Sequence, residues 1–124
     1  MSEKIELEYT FSTSPRVLFN RLSTPAGLAE WFADDVNLIN GLYSFVWDGT
    51  EQFAEVVSRK DNKHIRFHWV DEDEESYFEF RIQKDELTGD LALLITDFVE
   101  DGEQEDTAEL WNSQIAELKH ALGL

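Results

Sequence analysis

The stretch from Asp106 to Leu122 limits the possible folds more than any other part of the chain. Ala108, Trp111, Ile115, Leu118 and Leu122 recur at intervals of three and four, which lines them up along one side of an α-helix. Glu109, Asn112, Gln114, Glu117, Lys119 and His120 occupy the other sides and call for water. Asp106 or Thr107 is expected to cap the start, because a short oxygen-bearing side chain accepts from the free first-turn amides. Gly123 supplies a stop, and Lys119 and His120 sit where the helix dipole favours positive charge. A helix this one-sided must lie on an apolar surface, and the rest of the chain has to provide it.

Short strands are the expected source. Lys4 to Phe11 alternates, with Ile5, Leu7, Tyr9 and Phe11 on one face and Glu6, Glu8 and Thr10 on the other. Ser14-Pro15 then opens a short helix with Leu18, Phe19 and Leu22 on its apolar side. Thr24-Pro25 opens a second, expected to carry Leu28, Trp31 and Phe32 before Asp34-Asp35 ends it. Val36–Ile39, Leu42–Trp47, Gln52–Arg59, His64–Val70, Tyr77–Gln83 and Leu91–Val99 follow as strands. Asn40-Gly41, Asp48-Gly49, Asp61-Asn62, Asp71–Glu75 and Thr88-Gly89-Asp90 form the turns between them. Within Gln52–Arg59, Ala54, Val56 and Ser58 share one face by parity. Strands joined by short turns, with helices gathered on one side, describe an α+β domain built on an antiparallel meander of about six or seven strands.

At 124 residues the chain is expected to form one domain over positions 1–124. There is no cysteine, which excludes disulfides, thiolate metal sites and Cys nucleophiles. No basic region followed by an apolar run opens the chain, and no apolar stretch approaches the ~20 residues that span a bilayer. A cytoplasmic protein without stable membrane insertion is the expectation. A formal net charge of −17 disfavours nucleic acid and anionic membrane surfaces; it reads first as a solubility device, with a basic protein partner as the alternative.

The run Tyr9 to Phe32, YTFSTSPRVLFNRLSTPAGLAEWF, resembles the opening of domains related to the activator of Hsp90 ATPase, within the START-like (SRPBCC) superfamily. The likeness rests on Leu22, Ser23, Pro25, Leu28, Trp31 and Phe32, with Ser23 where threonine is usual. Val56, Ile65, Phe67 and Trp69 match the apolar positions of the middle strands, and Trp111, Leu118 and Leu122 match the closing helix. The resemblance implies a helix-grip fold, in which an antiparallel sheet curls around the C-terminal helix. It also implies a cavity for a lipid or other apolar molecule between them. Ala54 stands where glycine is frequent and the loop after Trp47 is brief, so a smaller pocket, or none at all, is the expectation here.

The residues themselves offer little for catalysis or metal binding. His64 and His68 lie four residues apart on one strand face, a span of about 13 Å that no single ion bridges. These histidines are expected to be solvated, and no cofactor is expected. The acidic run Asp71–Glu75 lacks the glycine and spacing of a calcium loop, and reads as a solvated turn. No nucleophile elbow or phosphate loop occurs. Asp97 shares a face with Leu93 and Ile95 and is the best inward candidate for a cyclase- or hydrolase-type activity, the alternative being a carboxylate at a strand end in water. What remains is an apolar set: Trp31, Phe45, Trp47, Phe67, Trp69, Phe78, Phe80, Trp111 and Ile115. These side chains either fill a core or wall a pocket for an apolar small molecule or lipid. Hence the leading expectation is a non-catalytic binding domain, with a protein-interaction module using the acidic surface, or an enzyme, as the alternatives.

Overall fold

A computed structural model describes residues 2–124. In chain order its elements are β1 (Ser2–Phe11), α1 (Pro15–Ser23), α2 (Pro25–Leu28), β2 (Asp35–Ile39), β3 (Leu42–Trp47), β4 (Thr50–Lys60), β5 (His64–Trp69), β6 (Phe78–Lys84), β7 (Leu91–Glu100) and α3 (Gln104–Ala121). The seven strands form one antiparallel sheet ordered β1-β7-β6-β5-β4-β3-β2. Strands β2 to β7 are a simple meander, and β1 pairs with β7 along its whole length, from Ser2 opposite Glu100 to Phe11 opposite Leu91.

Local chemistry accounts for the punctuation. Asn40 and Gly41 adopt φ of 51° and 82°, and Asp48 and Gly49 adopt 49° and 82°. Two successive positive φ values define the two-residue turn whose twist matches antiparallel strands, and Asn-Gly and Asp-Gly tolerate it best. The Ser14 hydroxyl accepts from the Val17 amide at 3.2 Å and caps α1. Thr24 does the same for Gly27 at 2.9 Å, at the head of α2.

The sheet buries one face. Tyr43, Phe45, Ala54, Ile65, Phe67, Phe78, Phe80, Leu93 and Ile95 meet Leu18, Phe19, Leu22, Leu28, Trp31 and Phe32 from the helical hairpin and Trp111, Ile115 and Leu118 from α3. Polar contacts hold α3 on both sides. Tyr9 donates to Asn112 Oδ1 at 2.6 Å, Trp111 Nε1 to Asp97 at 2.9 Å, and Gln114 Nε2 to the Phe32 carbonyl at 3.1 Å. Of the apolar stripe read from the sequence, Trp111, Ile115 and Leu118 are buried and Ala108 and Leu122 half-buried, and the arrangement is a helix-grip fold.

Four sequence expectations need correction. First, α3 begins at Gln104, so neither Asp106 nor Thr107 caps it. The Thr107 amide already bonds to the Glu103 carbonyl at 3.0 Å, which places Thr107 inside the helix, and no side chain caps the start. Second, α2 is a single turn. Trp31 and Phe32 lie in the tight turn after it, where the Phe32 amide reaches back to Leu28 at 2.8 Å. Third, Ser58 does not share a face with Ala54 and Val56. The register shifts between Val56 and Ser58, so Ser58 pairs with Arg66 and Arg59 with buried Ile65. An extra residue in one strand flips every side chain beyond it. Fourth, His68 is buried rather than solvated. Its Nε2 donates toward the carbonyl oxygens of Asp73, at 3.0 Å, and Glu72, at 3.3 Å, while Nδ1 lies 3.5 Å from Glu55. The acidic turn folds back over it, although the five carboxylates Asp71–Glu75 are exposed as expected.

Candidate functional site: an aromatic cleft beside the C-terminal helix

Sheet strands present their inward rings at different depths, and the rings near strand ends are the ones left partly uncovered. Trp47 closes β3 and Trp69 closes β5, and both are half-buried, whereas Phe78, which opens β6, is buried behind them. Together with Phe32, Asp97, Thr107, Leu110, Trp111 and Gln114 they line a partly open cleft of about 330 Å³ along the first half of α3. The ring framework is continuous. Trp47 and Trp69 lie 5.9 Å apart, Trp69 and Phe78 5.0 Å, Phe32 and Trp47 5.3 Å, and Phe32 and Trp111 5.7 Å between centroids. Such spacings are those of favourable aromatic pairs.

Phe32 is the hub of this wall. Its ring also stacks on Phe78 at 5.5 Å, and its carbonyl accepts from Trp47 Nε1 at 2.7 Å as well as from Gln114. The turn after α2 therefore fixes both the β3 tryptophan and the helix that faces it. Those bonds satisfy two buried-edge donors that would otherwise cost free energy.

Asp97 is the one titratable residue lining the cleft among the described residues. Its Oδ2 accepts from Trp111 Nε1 at 2.9 Å and its Oδ1 from the Phe98 amide at 2.8 Å. Burial pushes the carboxyl above its usual range. The bonds from Trp111 and Phe98 oppose that shift and nearby Glu72 reinforces it. Beyond Asp97 the cleft runs into an acidic depression that shares Trp69, Asp97, Thr107 and Leu110, and adds Asp71, Glu72, Asp73, Glu100 and Glu103 to the lining. Chemically, the site offers ring faces, one carboxyl and few hydrogen-bonding groups.

Of the apolar residues singled out from the sequence, Trp47, Trp69, Phe78 and Trp111 line the cleft. Phe45, Phe67, Phe80 and Ile115 are packed in the core beneath it, and Trp31 is buried with its Nε1 bonded to the Arg21 carbonyl at 2.8 Å. Asp97 points inward, as its parity with Leu93 and Ile95 indicates. Phe32, Thr107, Leu110 and Gln114 were not foreseen as wall residues. Leu110 carried a signal, since it is an apolar residue off the helix stripe and is 59% exposed at the cleft rim. Phe32 carried none, because its position depends on how tightly the chain turns after α2.

A START-like superfamily domain model matches residues 1–124, and the chain belongs to that superfamily. Among solved structures, a Bacteroides fragilis protein studied by NMR in solution is 43% identical, with 99% of this chain and 93% of that one covered and a TM-score of 0.70. The Aha1 dimer from Colwellia psychrerythraea, also solved in solution, shares the fold at 18% identity, 97% and 92% coverage and a TM-score of 0.70. A crystal structure of a Mesorhizobium loti protein does so at 16% identity, 98% and 97% coverage and a TM-score of 0.74. None of the curated proteins matches the chain. No helix among the described residues is long and apolar enough to cross a membrane.

Proposed function

We propose that this START-like domain is a non-catalytic binding protein that holds a small apolar molecule in the cleft between its sheet and α3. The observation that carries this reading is the wall itself: five aromatic rings and the exposed Leu110 surround about 330 Å³ of space. Ligand sites are concave, mostly apolar and sparingly polar, and their volumes run from ~300 to 1,000 Å³. This cleft falls at the small end, so its ligand is a single ring system or a short chain rather than a full-length lipid.

Titration with flat hydrophobic probes, followed through the indole N–H signals of Trp47, Trp69 and Trp111, tests the reading. Saturable shifts at those three groups are expected, weakened roughly fivefold by Leu110→Ser, which removes about one leucine's worth of partial burial. Shifts absent from all three indoles up to probe solubility would end it.

The exposed acidic turn Asp71–Glu75 at the same end of the molecule favours a second reading, contact with a basic protein. That association would weaken steeply with added salt, whereas binding in the apolar cleft would not.

A further inference from the structure

Resting on the binding role just given, we propose that the cleft selects organic cations, namely a quaternary or protonated amine carried on a compact apolar body.

The chemistry of the walls argues for a positive charge. Aromatic faces carry the negative part of the ring quadrupole and attract cations, tryptophan most strongly. Three tryptophans and two phenylalanines frame this space. The positive edges of two of those indoles are already committed, Trp47 Nε1 to the Phe32 carbonyl and Trp111 Nε1 to Asp97. Half-buried Trp47 and Trp69 are the rings that present most carbon surface to a ligand, Trp111 being only 4% exposed.

Charge at the site runs the same way. Among the described residues, Asp97 is the sole ionisable side chain lining the cleft and holds no cationic partner, its bonds to Trp111 and Phe98 both coming from neutral N–H groups. The adjoining depression adds carboxylates, and among the described residues no Lys, Arg or His lines either space. A fatty acid or other anion entering here would meet the Asp97 carboxylate with no Lys, Arg or His among the described lining residues to offset it, while an ammonium group would find both the carboxylate and the rings. An uncharged ligand would use the rings and leave the carboxylate without a partner charge.

Phenyltrimethylammonium and its neutral isostere tert-butylbenzene separate charge from shape. Both are titrated into the full chain in about 0.3 M NaCl, which screens exposed carboxylates at long range, and read at the indole N–H groups of Trp47, Trp69 and Trp111. The cation is expected to bind about tenfold more tightly than the isostere, with the ratio narrowing several-fold in Asp97→Asn. Equal affinities, or a preference for tert-butylbenzene, would overturn cation selection while leaving the apolar-binding role intact. Failure of both probes to shift any of the three indoles would overturn both. Shifts confined to Asp71–Glu75 and abolished by salt would also overturn selection in the cleft, because they mark a surface ion atmosphere. The comparison of probes on the unsubstituted protein decides the matter even if Asp97→Asn folds poorly.

Discussion

Two carboxyl groups a few residues apart in the sheet are handled in opposite ways. Glu79 is buried on the outer face of β6, where Arg66 Nε reaches Oε1 at 3.0 Å and Arg81 Nε reaches Oε2 at 3.2 Å. Burial alone would raise its pKa, but the hydrogen bonds and charges of Arg81 and Arg66 outweigh burial and hold it below the ordinary carboxylate range. Asp97 meets no cation among the described residues, and burial raises it. A lowered carboxyl stabilises the fold above the ordinary carboxylate range, and that contribution disappears as pH falls through its folded value. Glu79→Gln is therefore expected to cost about 1–2 kcal/mol at neutral pH, with the gap closing in acid, as urea unfolding at pH 7 and pH 3 will show. A raised carboxyl behaves in the reverse sense: its contribution is complete below the ordinary range and is lost as pH climbs through the raised value. Asp97→Asn, which still offers one acceptor to Trp111, should thus gain stability relative to the parent protein between pH 3 and pH 7. A constant difference across that interval would show that the carboxyl ionises as freely folded as unfolded.

At the junction of α1 and α2, Gly27 is the one glycine whose surroundings leave no room for a side chain. A methyl group on Gly27 would lie 2.4 Å from the Asn20 carbonyl oxygen and 2.7 Å from the Arg21 Cα, both backbone atoms that cannot move aside. The helices touch there because the Thr24 hydroxyl caps α2 while donating back to Asn20 at 2.8 Å. Gly27→Ala is expected to destabilise by about 2–3 kcal/mol and to lower Tm by several degrees, measured by calorimetry. Since the same junction aims Trp31 and Phe32, the variant should also disturb the indole signal of Trp47, which bonds to the Phe32 carbonyl. Thermal stability within a degree of the parent would mean that the hairpin can open at little cost. Gly41 makes an instructive contrast: a methyl there meets nothing within 4 Å, and its φ of 82° alone requires glycine.

Across the whole molecule, 27 acidic residues face only 10 basic ones, so like-charge repulsion opposes the compact state. Raising NaCl from about 0.02 M to about 0.5 M shortens the range of that repulsion from ~20 Å to a few ångströms. Tm is expected to rise accordingly, and a fall would show that ion pairs such as Arg66–Glu79 contribute more than the repulsion they offset.

The sequence alone determined the order of the elements, the turn positions, the buried stripe of α3 and the inward face of nearly every strand, because each is a local periodicity or a local backbone demand. Trp47, Trp69 and Asp97 were legible as inward-facing for that reason. Parity assigns a side chain to a face but says nothing of its depth. Phe45 and Phe67 share their faces with Trp47 and Trp69, yet the first pair is core and the second is wall. The difference arises from where α3 and the Phe32 turn come to rest on the sheet. Nor could parity see the register shift after Val56, which depends on how two strands meet. Only tertiary packing decided which of the inward rings remain open to a ligand, since covering a surface is a property of two elements and is written in neither one.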